Sequence, residues 1–196
     1  ELLCQDLNKA ARRGLGPAMQ AAALPMGQFH KLPAFENPLV PGGPRHPRRA
    51  LTIGAWWLTR ELELAAAQTS HVWEAPEQPS GRRAATWLLA TSKTDPEAVG
   101  VERTLECACT SSDAGGSDPD ILCPACNLLN QRDWAVAVAG GVGPLFPNTE
   151  GQAPTKEAWA ATFCKAGEIL DVKIRGHTGA ERISGHTLRV TGAQAL

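Results

Sequence analysis

Two groups of residues in this chain have the types and spacing to do chemistry. The first is a set of cysteines: Cys107, Cys109, Cys123 and Cys126 crowd into a 20-residue window, while Cys4 and Cys164 stand alone. A disulfide framework spreads its cysteines along a chain, so this clustering argues for another use. The window reads CAC, then thirteen residues rich in Ser, Asp and Gly, then CPAC. Two ligand pairs joined by such a loop can fold onto each other, and four thiolates in that arrangement suit tetrahedral zinc. The zinc would staple a polar insertion with few apolar residues to bury, which is a structural task. The plainer alternative is a set of reduced thiols, with Cys4 and Cys164 filling apolar sites.

The second group is basic. Arg60 falls in an apolar stretch, Lys93 in a turn-rich segment, and His186 and Arg189 stand three residues apart, hence on one helical face. Two guanidinium forks, a lysine and a histidine converging on one point would bind a phosphate. Charge that builds on phosphoryl oxygens in a transition state is met by bidentate arginines. Histidine moves a proton near neutral pH, and lysine can protonate a leaving alkoxide. Plainer roles exist for each: Arg60 paired with Glu61 or Glu63, Lys93 solvated on its turn, His186 and Arg189 as polar residues opening a helix.

Several elements must position these groups. Pro47 opens a helix over 48–67, RRALTIGAWWLTRELELAAA, because proline fits a first-turn position that donates no hydrogen bond. Residues 85–92 and 101–106 predict a β-hairpin with Lys93 at its rim. A helix over 124–139 is closed by Gly140 and Gly141. Thr155 caps a further helix with Trp159, Phe163, Ala166 and Leu170 at helical spacing, and Ser184 caps a last one, GHTLRVTGAQAL. Residues 24–47 are Pro/Gly-dense and predict an irregular linker after a short helical segment in 1–23. The expected fold class is α+β: mainly helical, with a small antiparallel sheet and a Cys-rich insertion.

Composition sets outer bounds. The formal net charge of −1 excludes a uniformly basic nucleic-acid binder, so DNA contact would come from local patches such as PRHPRR at 44–49 and GRR at 81–83. No apolar run reaches the ~18 residues of a membrane span, so no membrane partner is expected. The start ELLCQD lacks the features of a secretion signal. With reduced thiols, that favours an intracellular protein, nuclear in a eukaryote. His30, His46, His71 and His177 are expected to be linker, loop or surface residues.

The order of RELEL at Arg60, SKTD at Lys93 and GHTLR at His186 resembles the catalytic domain of tyrosine recombinases, the phage-integrase family of DNA strand exchangers. Arg60, Glu63 and Leu64 match its first box; Ser92, Lys93 and Thr94 match its hairpin-lysine context; His186 and Arg189 match its second box, followed by the small residues Gly192 and Ala193. LFPNTEGQAPTKEAW is similar to the loop and helix that precede that box. The resemblance spans about 48–196 apart from the insertion at 107–126, which the common pattern lacks. It makes 1–47 the end of a preceding segment plus a linker, and 48–196 an integrase-like catalytic domain.

The resemblance implies a double-stranded DNA partner, several protomers assembling on DNA, and a reaction that needs no cofactor. Arg60 and Arg189 would clamp the scissile phosphate, His186 would assist proton transfer at the nucleophile, and Lys93 would protonate the departing 5′-oxygen. Glu63 would orient an arginine or brace the helix. The departure from the family is large: the chain contains no Tyr, so it cannot form a phosphotyrosyl intermediate as given. A start without Met and a final helix still running at Leu196 are expected marks of truncation. A competing expectation from another class is a zinc-stapled, non-catalytic module that binds DNA or protein; a third is an α/β domain of unrelated role.

Overall fold

A computed structural model of the chain describes residues 21–34, 36–76, 78–90, 100–109, 122–173 and 183–195. Its regular elements are a 3-10 helix Met26–Lys31, helices α1 (Pro47–Trp56) and α2 (Glu61–Ala65), a 3-10 turn Thr69–His71, strands β1 (Val72–Glu74), β2 (Ala84–Leu89) and β3 (Val101–Glu106), and helices α3 (Pro124–Ala139), α4 (Lys156–Ile169) and α5 (Thr187–Ala195). The fold class is α+β, as expected.

The three strands form one antiparallel sheet in the order β1-β2-β3. Central β2 is buried along nearly its whole length, whereas β3 alternates exposed and half-buried positions. That alternation turns Arg103 and Leu105 inward and Glu102 and Thr104 outward. The β2–β3 pairing, with Trp87 opposite Arg103 and Thr86 opposite Thr104, is the hairpin expected from the sequence. Helix α3 packs against all three strands, and α1 packs against α3 and α5.

Aromatic rings make a continuous path through the core: Trp57 to Trp87 at 6.1 Å, Trp87 to Phe146 at 6.1 Å, Phe146 to Trp159 at 5.6 Å and Trp159 to Phe163 at 6.0 Å between centroids. Edge-on and tilted rings at these separations are a favourable aromatic arrangement. The path ties the C-terminal end of α1 to the sheet and then to α4.

The helix expected over 48–67 is in fact two. Trp57 caps α1, Leu58 takes a left-handed conformation at φ 53°, and the N–H groups of Leu58 and Thr59 donate to the carbonyls of Ala55 and Gly54. This is the hydrogen-bond pattern of a Schellman stop, built here on a leucine where glycine is usual. Without a glycine or proline at the stop, the sequence gives no local warning of it. The chain restarts at Arg60, extended at φ −99° and ψ 163°, as the N-cap of α2. Arg60 is thus a cap residue between helices rather than a residue inside one.

Residues 24–47 are also more ordered than their composition predicts. They contain the 3-10 helix, and Leu24, Met26, Phe29 and Leu32 are buried in the same core as α1 and α5. The Leu24 N–H donates to Thr191 Oγ1 at 2.9 Å, and Arg48 reaches back to the Leu32 carbonyl at 2.8 and 2.6 Å. The apolar residues scattered between the prolines, rather than a periodic pattern, do the docking.

Helices α3 and α4 begin where expected, whereas α5 starts at Thr187, later than a cap at Ser184 would set it. Gly140, at φ 68°, closes α3, and Thr155 Oγ1 accepts from the Ala158 N–H at the start of α4. Helix α5 crosses α1 closely: a Cβ on Gly192 would overlap the Ala55 carbonyl oxygen, and one on Gly54 would meet the Leu188 side chain at 2.5 Å. Gly192→Val is therefore expected to destabilise by about 2–3 kcal/mol, because a backbone carbonyl cannot swing aside as a side chain can. Urea unfolding of the variant measures this; a change under ~0.5 kcal/mol would mean that the crossing is loose.

His46, expected to be a linker residue, is only 2% exposed and lies 3.9 Å from the Trp134 ring. Burial, reinforced by neighbouring Arg49, lowers its pKa to about 4. A histidine depressed in the folded state binds its proton more readily when unfolded, so its contribution is complete above ~6.5 and is lost as pH falls towards 4. Stability is expected to fall by up to about 3 kcal/mol across that window. Stability titrations of the native chain and His46→Gln check it: the variant should lose most of that slope.

Candidate functional site

Two sites emerge, one of sulfur and one of charge. The sulfur site joins the end of β3 to the start of α3. Cys107 directly follows β3, and the Cys107 N–H donates to the Arg83 carbonyl at 2.7 Å, which continues the hairpin ladder. Cys123 occupies the N-cap position of α3, with Pro124 after it, and Cys126 lies in the first turn. Among the described residues, Sγ of Cys107, Cys109, Cys123 and Cys126 lie within 4.8 Å of one another. Specific pairs are 3.5 Å (Cys107 to Cys126), 3.6 Å (Cys123 to Cys107) and 3.8 Å (Cys109 to Cys126). Sulfurs bound at ~2.3 Å to one tetrahedral ion lie ~3.8 Å apart, close to these three separations, so the four cysteines could hold a metal ion.

The surroundings favour thiolate at one position. Burial pushes the Cys123 thiol up, but N–H groups of Cys126 and Ala108 aimed at the sulfur, with the thiols of Cys109 and Cys107, bring it net below the ordinary range. The Ala108 N–H reaches Cys123 Sγ at 3.4 Å. Cys126 is pushed up instead, by burial and by the neighbouring sulfurs. Four sulfurs this close cannot all be anionic without a cation among them. Cys164 lies apart, half-buried against the core, while Cys4 lies outside the described residues.

The charged site is organised by Glu63. Its carboxylate is 4% exposed and accepts the Arg60 backbone N–H at 2.7 Å, one half of a capping box. It also accepts Arg189 Nη2 at 2.8 and 3.2 Å, across 126 residues of sequence. Arg60 and Arg189 each keep a buried Nε without a hydrogen-bond partner among the described residues. His186 is exposed, one turn before Arg189; its N–H donates to Ser184 Oγ at 3.3 Å, and its carbonyl accepts the Val190 N–H as α5 begins. Lys93 belongs to the β2–β3 connection and lies outside the described residues. The structure thus joins the Arg60 backbone, the Glu63 carboxylate and the Arg189 guanidinium, and leaves His186 on the Arg189 helical turn at the surface.

No protein-family model matches this chain, and no curated protein matches it either.

One residue of the charged site escaped sequence reading. Arg103 donates through Nη1 to the Trp57 carbonyl, and Arg189 and Glu63 both act on its charge. Burial, then the like charge of Arg189, hold its guanidinium below the ordinary arginine range, while Glu63 opposes them. The one available signal was a cation at an inward position of a strand.

The basic patches are mostly committed internally. Arg45 pairs with Glu36 at 2.8 Å and stacks over Trp134 at 5.2 Å; Arg48 holds the Leu32 carbonyl; Arg83 pairs with Glu74 at 2.8 and 3.1 Å. Arg82 is exposed and makes no ion pair among the described residues. His71 is tied down locally, Nδ1 accepting the Gln68 N–H at 3.4 Å. His177 lies outside the described residues. No helix among the described residues is long and apolar enough to cross a membrane.

Proposed function

We propose that this chain binds double-stranded DNA through an arginine-lined phosphate site of the kind used by tyrosine recombinases, on an integrase-like scaffold whose hairpin is stapled by zinc. The observation that carries the reading is the Glu63 carboxylate, which ties the backbone of Arg60 to the guanidinium of Arg189. The first and second boxes of the resemblance are far apart in sequence, and an accidental match gives no reason for them to share one buried carboxylate.

In this reading Glu63 orients the Arg189 guanidinium through Nη2 and fixes the backbone of Arg60. Arg60 and Arg189 hold the non-bridging oxygens of one phosphodiester, where charge-assisted, forked hydrogen bonds are strongest. His186, exposed at the start of α5, is available to move a proton at the attacking oxygen, and Lys93 serves the leaving 5′-oxygen. With no Tyr, the chain supplies the phosphate-activating half of the reaction and no tyrosine nucleophile. Strand cleavage and rejoining, and assembly of several protomers on DNA, belong to a complete recombinase.

The fit of the four sulfurs to one tetrahedral ion favours a second role alongside the first: the metal fixes the β3–α3 junction for a partner surface. If that role stands alone, the protein carries zinc but does not bind duplex DNA.

Fluorescence anisotropy with a labelled duplex, measured across a salt series, separates the readings. Phosphate contacts predict a linear fall of log K with log salt, steeper for each phosphate neutralised. Arg60→Gln leaves the Arg60 N–H bond to Glu63 in place and is expected to weaken binding about 10-fold or more and make the slope shallower. Binding that is absent, or unaffected by Arg60→Gln, refutes the phosphate reading.

A further inference from the structure

We infer that Glu61 is a built-in restraint on the phosphate site: its carboxylate holds the approach beside His186 and has to yield for a DNA phosphate to settle there. This rests on the phosphate reading above and deepens it with a residue outside the resemblance.

The first turn of α2 sends two carboxylates to the start of α5. Glu63 accepts Arg189 Nη2 at 2.8 Å, so its charge is met. Glu61, two residues earlier, reaches Gly185 instead: a Cβ on Gly185 would overlap the Glu61 carboxyl carbon and both of its oxygens. The carboxyl therefore lies directly against the backbone that leads into His186. Glycine leaves it that room.

Glu61 makes no hydrogen bond and no ion pair among the described residues. It is half-buried, and His186, next to Gly185 in the chain, is exposed, so the carboxylate stands at the open edge where α2 meets α5. The first turn of a helix attracts negative charge, because its N–H groups have no carbonyl partner within the helix. Glu61 is the anion already at that end of α5. A phosphate served by His186 and Arg189 has to approach the same end, where two anions repel. A carboxylate present only to cap α5 would accept one of its N–H groups, yet the His186 N–H goes to Ser184 Oγ and Glu61 accepts none.

The test is duplex binding by the unsubstituted chain, Glu61→Gln and Glu150→Gln, read by anisotropy at one salt concentration. Glu150 is an exposed acid of the α3–α4 connection, so its variant carries the same change in net charge elsewhere. Glu61→Gln is expected to tighten binding about 5-fold or more, because a like charge beside the phosphate is gone. Glu150→Gln should change it less than about 2-fold, because salt screens a charge outside contact range. Equal effects of the two, or a Glu61→Gln chain that melts lower and binds no tighter, overturn the inference and leave the phosphate site standing. Binding by neither the unsubstituted chain nor Glu61→Gln overturns both.

Should Glu61→Gln fail to fold, the unsubstituted chain decides. Its Glu61 carboxyl carbon resonance, assigned by its loss in Glu61→Asp, is expected to shift as the duplex is added. A resonance that stays in place through saturation overturns the inference.

Discussion

Replacing Glu63 by alanine is expected to cost about 3–5 kcal/mol of folding stability, the largest effect of any single substitution at the charged site. The carboxylate is 4% exposed and Arg189 30% exposed, so the pair is shielded from water well beyond an ordinary surface bridge. Three groups lose their counter-charge or acceptor at once: the Arg60 N–H, the Arg189 guanidinium and the neighbouring charge of Arg103. Leaving buried or half-buried cations unpaired costs more than the pair itself contributes. Glu63→Gln keeps an acceptor for the Arg60 N–H but not the charge, so its cost should be clearly smaller. Urea unfolding of both variants measures the difference. A cost below about 1 kcal/mol for Glu63→Ala would mean that the carboxylate does not organise the site.

The second large effect concerns metal. If zinc holds the four sulfurs, it binds the folded chain and stabilises it by RT ln(1 + [L]/Kd), about 4 kcal/mol at a thousand-fold excess over Kd. For a chain of this size, stripping it with a strong chelator should lower the melting temperature by ~8–16 °C. Cys126→Ser should do nearly the same and reduce the bound metal from one per chain. Cys164→Ser, outside the cluster, should leave the stoichiometry at one. Elemental analysis with differential scanning calorimetry checks both. A chain that purifies without metal and melts at the same temperature with and without chelator contradicts the zinc reading.

The consequence should reach beyond the insertion. Trp56 Nε1 donates to the Leu122 carbonyl at 2.6 Å, one residue before Cys123, and Cys107 closes the strand that carries Arg103. The sulfur site and the charged site are thus braced by the same strand and the same end of α1.

Much of this was legible in the sequence because local chemistry signalled it. Pro47 and Pro124 open helices, Gly140 ends one, Thr155 caps another, and alternation in β3 follows its burial. The cysteine cluster was legible from spacing alone. The break at Leu58 was not, because a leucine in left-handed conformation is held by tertiary packing and hydrogen bonds rather than by residue preference. Nor was the docking of 24–32, where scattered apolar residues act without a period. His46 and Arg103 were passed over for the same reason: burial of a polar residue is a property of what packs around it.

The most direct measurement is a crystal structure of the chain bound to a short DNA duplex. The account predicts one backbone phosphate within hydrogen-bonding distance of both the Arg60 and Arg189 guanidinia, with Glu63 still holding Arg189. A duplex seated on another face, with no phosphate reaching these two arginines, would contradict it.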